Sequence, residues 1–381
     1  MTTYDVRSEK LSILFAGGGT GGHLYPAIAV AAELSRLRPG VEITFAGTKR
    51  RIEARVVPAL GYRFAPIWIS GFRRKLSIGT VLFPVKVVVA LVQSFFLIRK
   101  YRPAIVVGTG GYVSGPVVFV AGLLGIPTLI HEQNSYPGVT TRLLASRVDE
   151  VHLTFEGSAR YLRRKDNVRF TGNPTRGEIG NISSTEGRKY FGLNEKRRTL
   201  LVFGGSQGAH SLNVALPGCI KGLVERGAQI IWQTGEEDYE SARSWAASEG
   251  YDEAGGSVQV HKFIEHMQYA YGACDLAVCR AGATTIAELT KGGVPSVLVP
   301  YPQAAADHQT ENARTMAGSG AAVLVRDHEL GERLSETMTE LLFNEEKLKQ
   351  MSGKAKLLSR PEAATNLARA ILALAGKTHV E

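Results

Sequence analysis

The 381-residue sequence predicts an α/β protein built as two doubly wound, Rossmann-like domains whose parallel sheets face each other across a cleft. Three observations carry this expectation. Apolar, β-branched runs alternate with helical stretches, the pattern of parallel βαβ units. A glycine loop follows the first run in FAGGGTGGHLYPA (15–27), where Thr20 is the one residue of 17–22 that is not glycine. Near residue 199 the same opening returns as RTLLVFGGSQGAHSLN (198–213), and a chain of this length exceeds one ordinary core.

In chain order, LSILFAG (11–17) is the first strand and LYPAIAVAAELSRL (24–37) the first helix. VEITFAG (41–47), a run at 66–70, AIVVGTGG (104–111) and IPTLIHEQN (126–134) read as further strands. NPTRGEIGNISSTEGRKYFGLNEKRR (173–198) is poor in large apolar residues and rich in Gly, Asn, Ser and charge, as a linker would be. Beyond it, AQIIWQTG (228–235), DLAVCRAG (275–282) and PSVLVPY (295–301) supply strands of the second domain. Ligands are expected at the carboxyl ends of these strands, where the glycine loops lie.

LSIGTVLFPVKVVVALVQSFFLI (76–98) is long enough to cross a bilayer and has basic residues at both ends, Arg73, Arg74 and Lys75, then Arg99, Lys100 and Arg102. Lys86 near its middle argues against a span, at roughly 2.5 to 3.5 kcal/mol on insertion scales, and Pro84 interrupts it. A span would also leave strands 66–70 and 104–108 on opposite sides of a membrane. The part after Pro84 therefore reads as a buried crossover helix. The part before it, with its basic neighbours, reads as a patch for an anionic membrane surface.

A formal net charge of +10 favours anionic partners without choosing among nucleic acid, phosphorylated substrates and membranes. Cys219, Cys274 and Cys279 have neither a disulfide framework nor a zinc spacing, which suits a reducing, cytoplasmic compartment. The opening MTTYDVRSEK lacks the character of a signal peptide.

Glycines between a strand and a helix let backbone N–H groups approach a phosphate at a helix N-terminus. Gly17-x-Gly19-x-x-Gly22 matches the dinucleotide fingerprint, but the second strand ends Gly47, Thr48, Lys49 without the acid that binds ribose. A P-loop is also excluded, because His23-Leu24 stands where Lys-Ser/Thr is needed. What remains is a diphosphate loop ending in a group that takes a proton near neutral pH; the bland alternative is a histidine that caps the helix. GTGGYVSGP (108–116) and GGSQGAHSLN (204–213) are similar loops, so several phosphate groups are expected. In CRAGATTIAELTKGGVPSVLVPYPQAAADHQTENA (279–313), Glu288 on a helix beginning about Ala283 could accept two ribose hydroxyls, or be an ordinary exposed acid. Asp307, His308 and Gln309 could grip sugar hydroxyls, or form a solvated helix start with Asp as its cap.

GGGTGGHLYPA, GTGGYVSGP, HEQN (131–134), GNPTR (172–176), GGSQGAHSLN, CRAGATTIAEL and DHQTENA, in this order, resemble the MurG-type N-acetylglucosaminyltransferases from about residue 11 to 370. The resemblance implies a GT-B fold with domains 1–176 and 177–360 and a helix at 361–381 that returns to the first. It implies inverting transfer of GlcNAc from UDP-GlcNAc to the MurNAc C4 hydroxyl of undecaprenyl-linked lipid I. The enzyme is then peripheral on the cytoplasmic face of the cell membrane, with cell-wall synthesis or divisome proteins as partners and no nucleic acid. By the same resemblance, Thr20, Gly21, Gly22 and the loop Gly110-Gly111-Tyr112 face diphosphates, and His23 is the general base. Asn134 contacts donor sugar hydroxyls, and Arg176 is a donor-site residue of undefined role. Ser206 lies at the UDP phosphates, and the Ile264 backbone holds the uracil. Ala283, Thr284, Thr285, Ile286, Ala287 and Glu288 form the nucleotide segment, with Glu288 on the ribose, and Gln309 contacts GlcNAc.

No Asp-x-Asp pair occurs, so leaving-group charge is expected to meet backbone N–H groups and a helix dipole, with no metal and no cofactor. The rival readings are another GT-B glycolipid synthase, a UDP-GlcNAc epimerase, a nicotinamide-dependent dehydrogenase and a non-catalytic nucleotide-binding module.

Overall fold

The computed structural model describes residues 11–70, 83–205, 208–251, 256–304 and 307–377. Ser206 and the basic run Arg73, Arg74, Lys75 lie outside the described residues. The chain divides into two compact units, Met1–Pro174 with Glu362–Glu381, and Thr175–Pro361.

Among the described residues the first unit holds seven strands: β1 (Ser12–Gly17), β2 (Glu42–Gly47), β3 (Arg63–Pro66), β4 (Ile105–Gly110), β5 (Thr128–Glu132), β6 (Glu150–Leu153) and β7 (Val168–Phe170). All pair in parallel, in the order β3-β2-β1-β4-β5-β6-β7. Helices α1 (Gly21–Leu37), α2 (Ile52–Ala59), α3 (Phe83–Tyr101), α4 (Gly111–Leu123) and α5 (Val139–Leu144) connect them. Alternation along β1 sends Ile13 and Phe15 to one face of the sheet and Leu14 and Ala16 to the other. The first face packs on Leu24, Val30 and Leu34 of α1 and on Leu367 and Ile371 of the last helix. The second packs on Ala90 and Ile98 of α3 and on Val113 and Val117 of α4. Burial on both faces is why these strands read as continuous apolar runs.

The second unit holds β8 (Thr199–Phe203), β9 (Gln229–Gln233), β10 (Val258–His261), β11 (Leu276–Cys279), β12 (Ser296–Leu298) and β13 (Ala322–Leu324). These are parallel in the order β10-β9-β8-β11-β12-β13. Its helices are α6 (Ser184–Tyr190), α7 (His210–Ala215), α8 (Pro217–Glu225), α9 (Tyr239–Ser248), α10 (Met267–Ala273), α11 (Ala283–Gly292), α12 (His308–Gly318), α13 (Leu330–Leu342) and α14 (Glu345–Leu358). The final helix, α15 (Ala363–Lys377), belongs to the first unit, where Thr365 Oγ1 donates to Glu33 Oε1 of α1 at 2.8 Å.

Four expectations need correction. The third strand lies at 63–66, not 66–70, because Ile69 N–H turns back onto Ile67 O and takes the chain off the ladder. Helix α1 starts at Gly21, three residues early, since glycines carry no apolar periodicity to mark a first turn. Helix α3 is not a buried crossover: Ala90, Ser94 and Ile98 are covered, while Val85, Val88, Val92 and Phe96 stand at least half exposed. Its exposed face is as apolar as its buried one, so hydropathy could not reveal which stripe is covered.

The segment read as a linker contains α6, opened by a reciprocal capping box between Ser183 and Glu186. Tyr190 stacks on Tyr269 of α10 at 4.3 Å, and Gly187 lets the two helix backbones touch. A Cβ at 187 would land 2.6 Å from Tyr269 O and against Ala273 N, both rigid backbone. Gly187→Ala is therefore expected to cost about 1 to 3 kcal/mol, read as a lower thermal midpoint. A variant melting with the wild type would contradict this packing.

Candidate active site

In each sheet the connections change direction beside the unit's first strand, between β1 and β4 and between β8 and β11. Loops leaving those strands are where an open α/β sheet binds ligands.

In the first unit, β1 runs into Gly18 (φ +142°) and Gly19 (φ +89°), and then α1 begins with Gly21, Gly22 and His23 as its first turn. First-turn N–H groups have no acceptor within their own helix and suit an anion. Thr20 occupies the N-cap without capping through its side chain. The loop is held by Glu53 of α2, which is 1% exposed. Its carboxylate accepts from Gly19 N–H (3.0 Å), Thr48 N–H (3.0 Å) and Thr48 Oγ1 (2.8 Å). An acid thus does reach the tip of β2, from six residues beyond the strand. There it accepts from backbone and hydroxyl donors and braces the glycine loop.

The second loop of this unit touches the first. A Cβ on Gly111 (φ +77°) would strike Gly18 O, and one on Gly110 (φ +102°) would sit 2.5 Å from His23 Nδ1. The His23 ring therefore lies directly on the Gly110 backbone, while Tyr112 is exposed. His23 Nδ1 is 3.0 Å from Gln133 Oε1, one residue beyond β5. Gln133 Nε2 donates to Thr109 O (2.9 Å) and lies 3.0 Å from His131 Nδ1, whose Nε2 is 3.0 Å from Gly172 O. Burial pulls the His131 pKa down to about 4. Asn134 is turned inward: its N–H and Nδ2 both donate to Glu132 Oε1, and Glu132 Oε2 accepts from Thr141 Oγ1 at 2.6 Å.

In the second unit, Gly205 and Gly208 adopt positive φ after β8, and a Cβ at 208 would strike Thr234 O. Gln233, at the end of β9, donates through Nε2 to Gly205 O (3.1 Å) and accepts Ile264 N–H (2.8 Å). It ties the glycine loop to the segment carrying Ile264. Helix α11 starts at Ala283, with Thr284, Thr285, Ile286 and Ala287 in its first turns. Thr284 Oγ1 is shielded from solvent and has no hydrogen-bond partner among the described residues. Glu288 is a buried acid, not an exposed one. It accepts from Tyr271 Oη at 3.0 Å and pairs with Arg176 at 3.3 Å. Burial raises its pKa above the usual carboxylate value, opposed by Arg176 and Tyr271. Gln309 Oε1 accepts Tyr301 N–H (2.9 Å). Asn312, one turn on, donates to Ala281 O at 3.1 Å and holds α12 at the tip of β11. Asp307 has φ +54° and caps no backbone N–H with its side chain; it accepts from Thr310 Oγ1.

Within the first unit, Thr20, Gly21, Gly22, His23 and, through Gln133, the strand end bearing Asn134 come together. Within the second, Arg176 meets Glu288 on the helix that starts at 283, and Ile264 meets the loop after β8. Sequence reasoning missed Glu53, His131, Gln133, Gln233 and Tyr271 as supports. HEQN was the one available signal for two of them.

Two parallel-sheet α/β units with anion-suited loops at both crossing points place this chain in the two-Rossmann, GT-B class of nucleotide-sugar enzymes. The glycosyltransferase family 28 N-terminal domain matches residues 13–153, and the family 28 C-terminal domain matches residues 199–367. The chain is 45% identical over 370 residues to a UDP-N-acetylglucosamine--N-acetylmuramyl-(pentapeptide) pyrophosphoryl-undecaprenol N-acetylglucosamine transferase of Chlorobium limicola, covering 96% of this chain and 100% of the relative. The protein of that name from Desulforamulus reducens is 42% identical, covering 94% and 97%. Acinetobacter baumannii MurG superposes with a TM-score of 0.75 at 31% identity, covering 95% and 99%. The calicheamicin glycosyltransferase CalG4 shares the fold, with a TM-score of 0.69 at 15% identity over 97% and 99%. The chain belongs to glycosyltransferase family 28, in its MurG group of N-acetylglucosamine transferases.

Proposed function

We infer that this enzyme transfers GlcNAc from UDP-GlcNAc to the C4 hydroxyl of the MurNAc sugar in lipid I, inverting the anomeric centre and yielding lipid II and UDP. The observation that carries the reading is the place of His23, on the first turn after a glycine loop that can receive a diphosphate. The 45% identity over 96% of this chain to an N-acetylglucosamine transferase supports the same substrates.

In this mechanism the first-turn N–H groups of Gly21 and Gly22, with Thr20 and the loop Gly110-Gly111-Tyr112, hold the acceptor diphosphate. His23 takes the C4 hydroxyl proton as the oxygen bonds to the donor's anomeric carbon. The bond from that carbon to the β-phosphate oxygen breaks, and its electron pair leaves with UDP. The imidazolium then gives its proton to solvent. In the second unit, Ser206 and the segment Ala283 to Ala287 receive the leaving phosphates, and the unpartnered Thr284 hydroxyl suits a phosphate oxygen. Glu288 accepts the ribose hydroxyls, the Ile264 carbonyl holds the base, and Gln309 contacts GlcNAc; Asn134, its Nδ2 held by Glu132 Oε1, offers Oδ1 to a sugar hydroxyl. Arg176, whose role the sequence left undefined, holds Glu288 in place.

Lipid I cannot leave its membrane, so the enzyme works at the surface as a peripheral protein. Among the described residues no helix is long and apolar enough to cross a bilayer. The exposed face of α3, with Val88 59% and Phe96 65% exposed, supports a patch that dips into an anionic surface. Cell-wall synthesis proteins are the expected partners there.

Incubating radiolabelled UDP-GlcNAc with and without a lipid I analogue tests the reaction. Labelled disaccharide-lipid and UDP should appear only with the acceptor. UDP-sugar epimerised without acceptor would sink the transferase reading. Sedimentation with anionic liposomes should weaken in a Val88→Ser/Phe96→Ser variant; equal sedimentation would remove the α3 patch from the proposal.

A further inference from the structure

We propose that Gln133 is a positioning residue that dictates which nitrogen of His23 carries its proton, keeping Nε2 as the basic one. This rests on reading His23 as the base. The assignment begins with two groups that can only accept, the backbone carbonyls of Thr109 and Gly172. The β1–β4 register shifts between Gly108 and Gly110, so Thr109 has no residue opposite it on β1. Thr109 O lies 2.9 Å from Gln133 Nε2, which obliges the side chain to present its NH₂ there. The amide oxygen then faces His23 Nδ1 at 3.0 Å, and that contact is a hydrogen bond only if Nδ1 holds the proton.

The other end of the chain agrees independently. Gly172 O, 3.0 Å from His131 Nε2, places the proton of that ring on Nε2. His131 Nδ1 is then a lone pair, and it accepts the second hydrogen of the Gln133 NH₂ at 3.0 Å. Every donor from Gly172 O to His23 meets an acceptor in this one arrangement. Turning the amide over would set its oxygen against Thr109 O, two acceptors with no proton between them. Gln133 and His131 are 2% and 1% exposed, so water does not relieve such a mismatch. Burial also keeps His131 neutral well below pH 7, so its Nδ1 remains an acceptor. Gly110, which offers no side chain, leaves the His23 ring room to lie in this orientation.

The test uses the full chain labelled with ¹⁵N-histidine, whose two-bond ¹H–¹⁵N couplings report each ring's tautomer. His23 is picked out of the nine histidines by its loss in His23→Ala. Wild-type His23 should be the Nδ1–H form. Gln133→Met should shift it toward the Nε2–H form that free histidine favours and lower kcat about 10- to 100-fold, with KM for UDP-GlcNAc unchanged. Gln133→Glu retains an acceptor, so it should keep the Nδ1–H form and move the acidic limb of the kcat–pH profile upward, since a carboxylate favours the imidazolium. The wild-type spectrum and the near-isosteric Glu variant decide the matter if the Met variant does not fold. An Nε2–H His23 in the wild type, or an unchanged Nδ1–H form in folded Gln133→Met, overturns the proposal. Full activity in His23→Ala would instead remove the base assignment and leave the tautomer result standing.

Discussion

His23→Ala is expected to lower kcat by about 10²- to 10⁴-fold, the usual worth of a general base, while binding of UDP-GlcNAc stays as in the wild type. The fold should survive. His23 is half-buried in the first turn of α1, where alanine is a good helix former. Among the described residues the ring hydrogen-bonds to Gln133 Oε1, and leaving that oxygen unmet costs about 1 to 3 kcal/mol. A thermal melt separates this loss from the kinetic one, and added imidazole should restore part of the rate by filling the space above Gly110. If kcat is retained, the hydroxyl proton goes elsewhere and the reading of the α1 first turn must be abandoned.

The fold class was legible because parallel strands buried on both faces are written as unbroken apolar runs, and glycines punctuate their carboxyl ends. Where burial is one-sided the signal faded. The apolar sequence of α3 could not show that Ala90, Ser94 and Ile98 are buried while Val88 and Phe96 face outward. Helix α6 was hidden because its contact is made by Gly187, a residue that reads as a breaker, although Ser183 and Glu186 spelled out its cap. The candidate site shows the same division. Glycine loops are visible in sequence since their function is in the backbone, but the side chains that brace them arrive from other elements. Glu53 looks like an ordinary first-turn helix acid until α2 is placed beside Thr48 and Gly19. His131 and Gln133 are two apart at a strand end and so point the same way, which is how they come to touch each other. Their motif was visible; the direction of its side chains depended on the strand's register.

Glu288→Gln should weaken UDP-GlcNAc binding by one to two orders of magnitude without lowering the melting temperature of the free protein. A carboxylate accepting two ribose hydroxyls makes charge-assisted bonds worth about 1.5 to 3 kcal/mol each, and a neutral amide offers one oxygen in their place. Stability responds differently, because the folded protein keeps this carboxyl where burial disfavours its charge. A raised folded-state pKa means that the native state binds more protons than the unfolded chain from about the ordinary value of 4.5 upward. Stability contributed at this position therefore falls as pH rises through that window. Glutamine carries no such penalty. It can still accept from Tyr271 Oη, and Arg176, about one-third exposed, can turn to solvent once its partner's charge is gone. The variant should thus melt at or above the wild type near neutral pH, with the difference shrinking toward pH 4, while titration calorimetry shows the lost affinity. Unchanged UDP-GlcNAc affinity would make Glu288 a structural anchor for Arg176 and Tyr271 and take the ribose away from α11. A lower melting temperature with unchanged affinity would say the same more strongly, since the ion pair would then be the reason this carboxylate is buried.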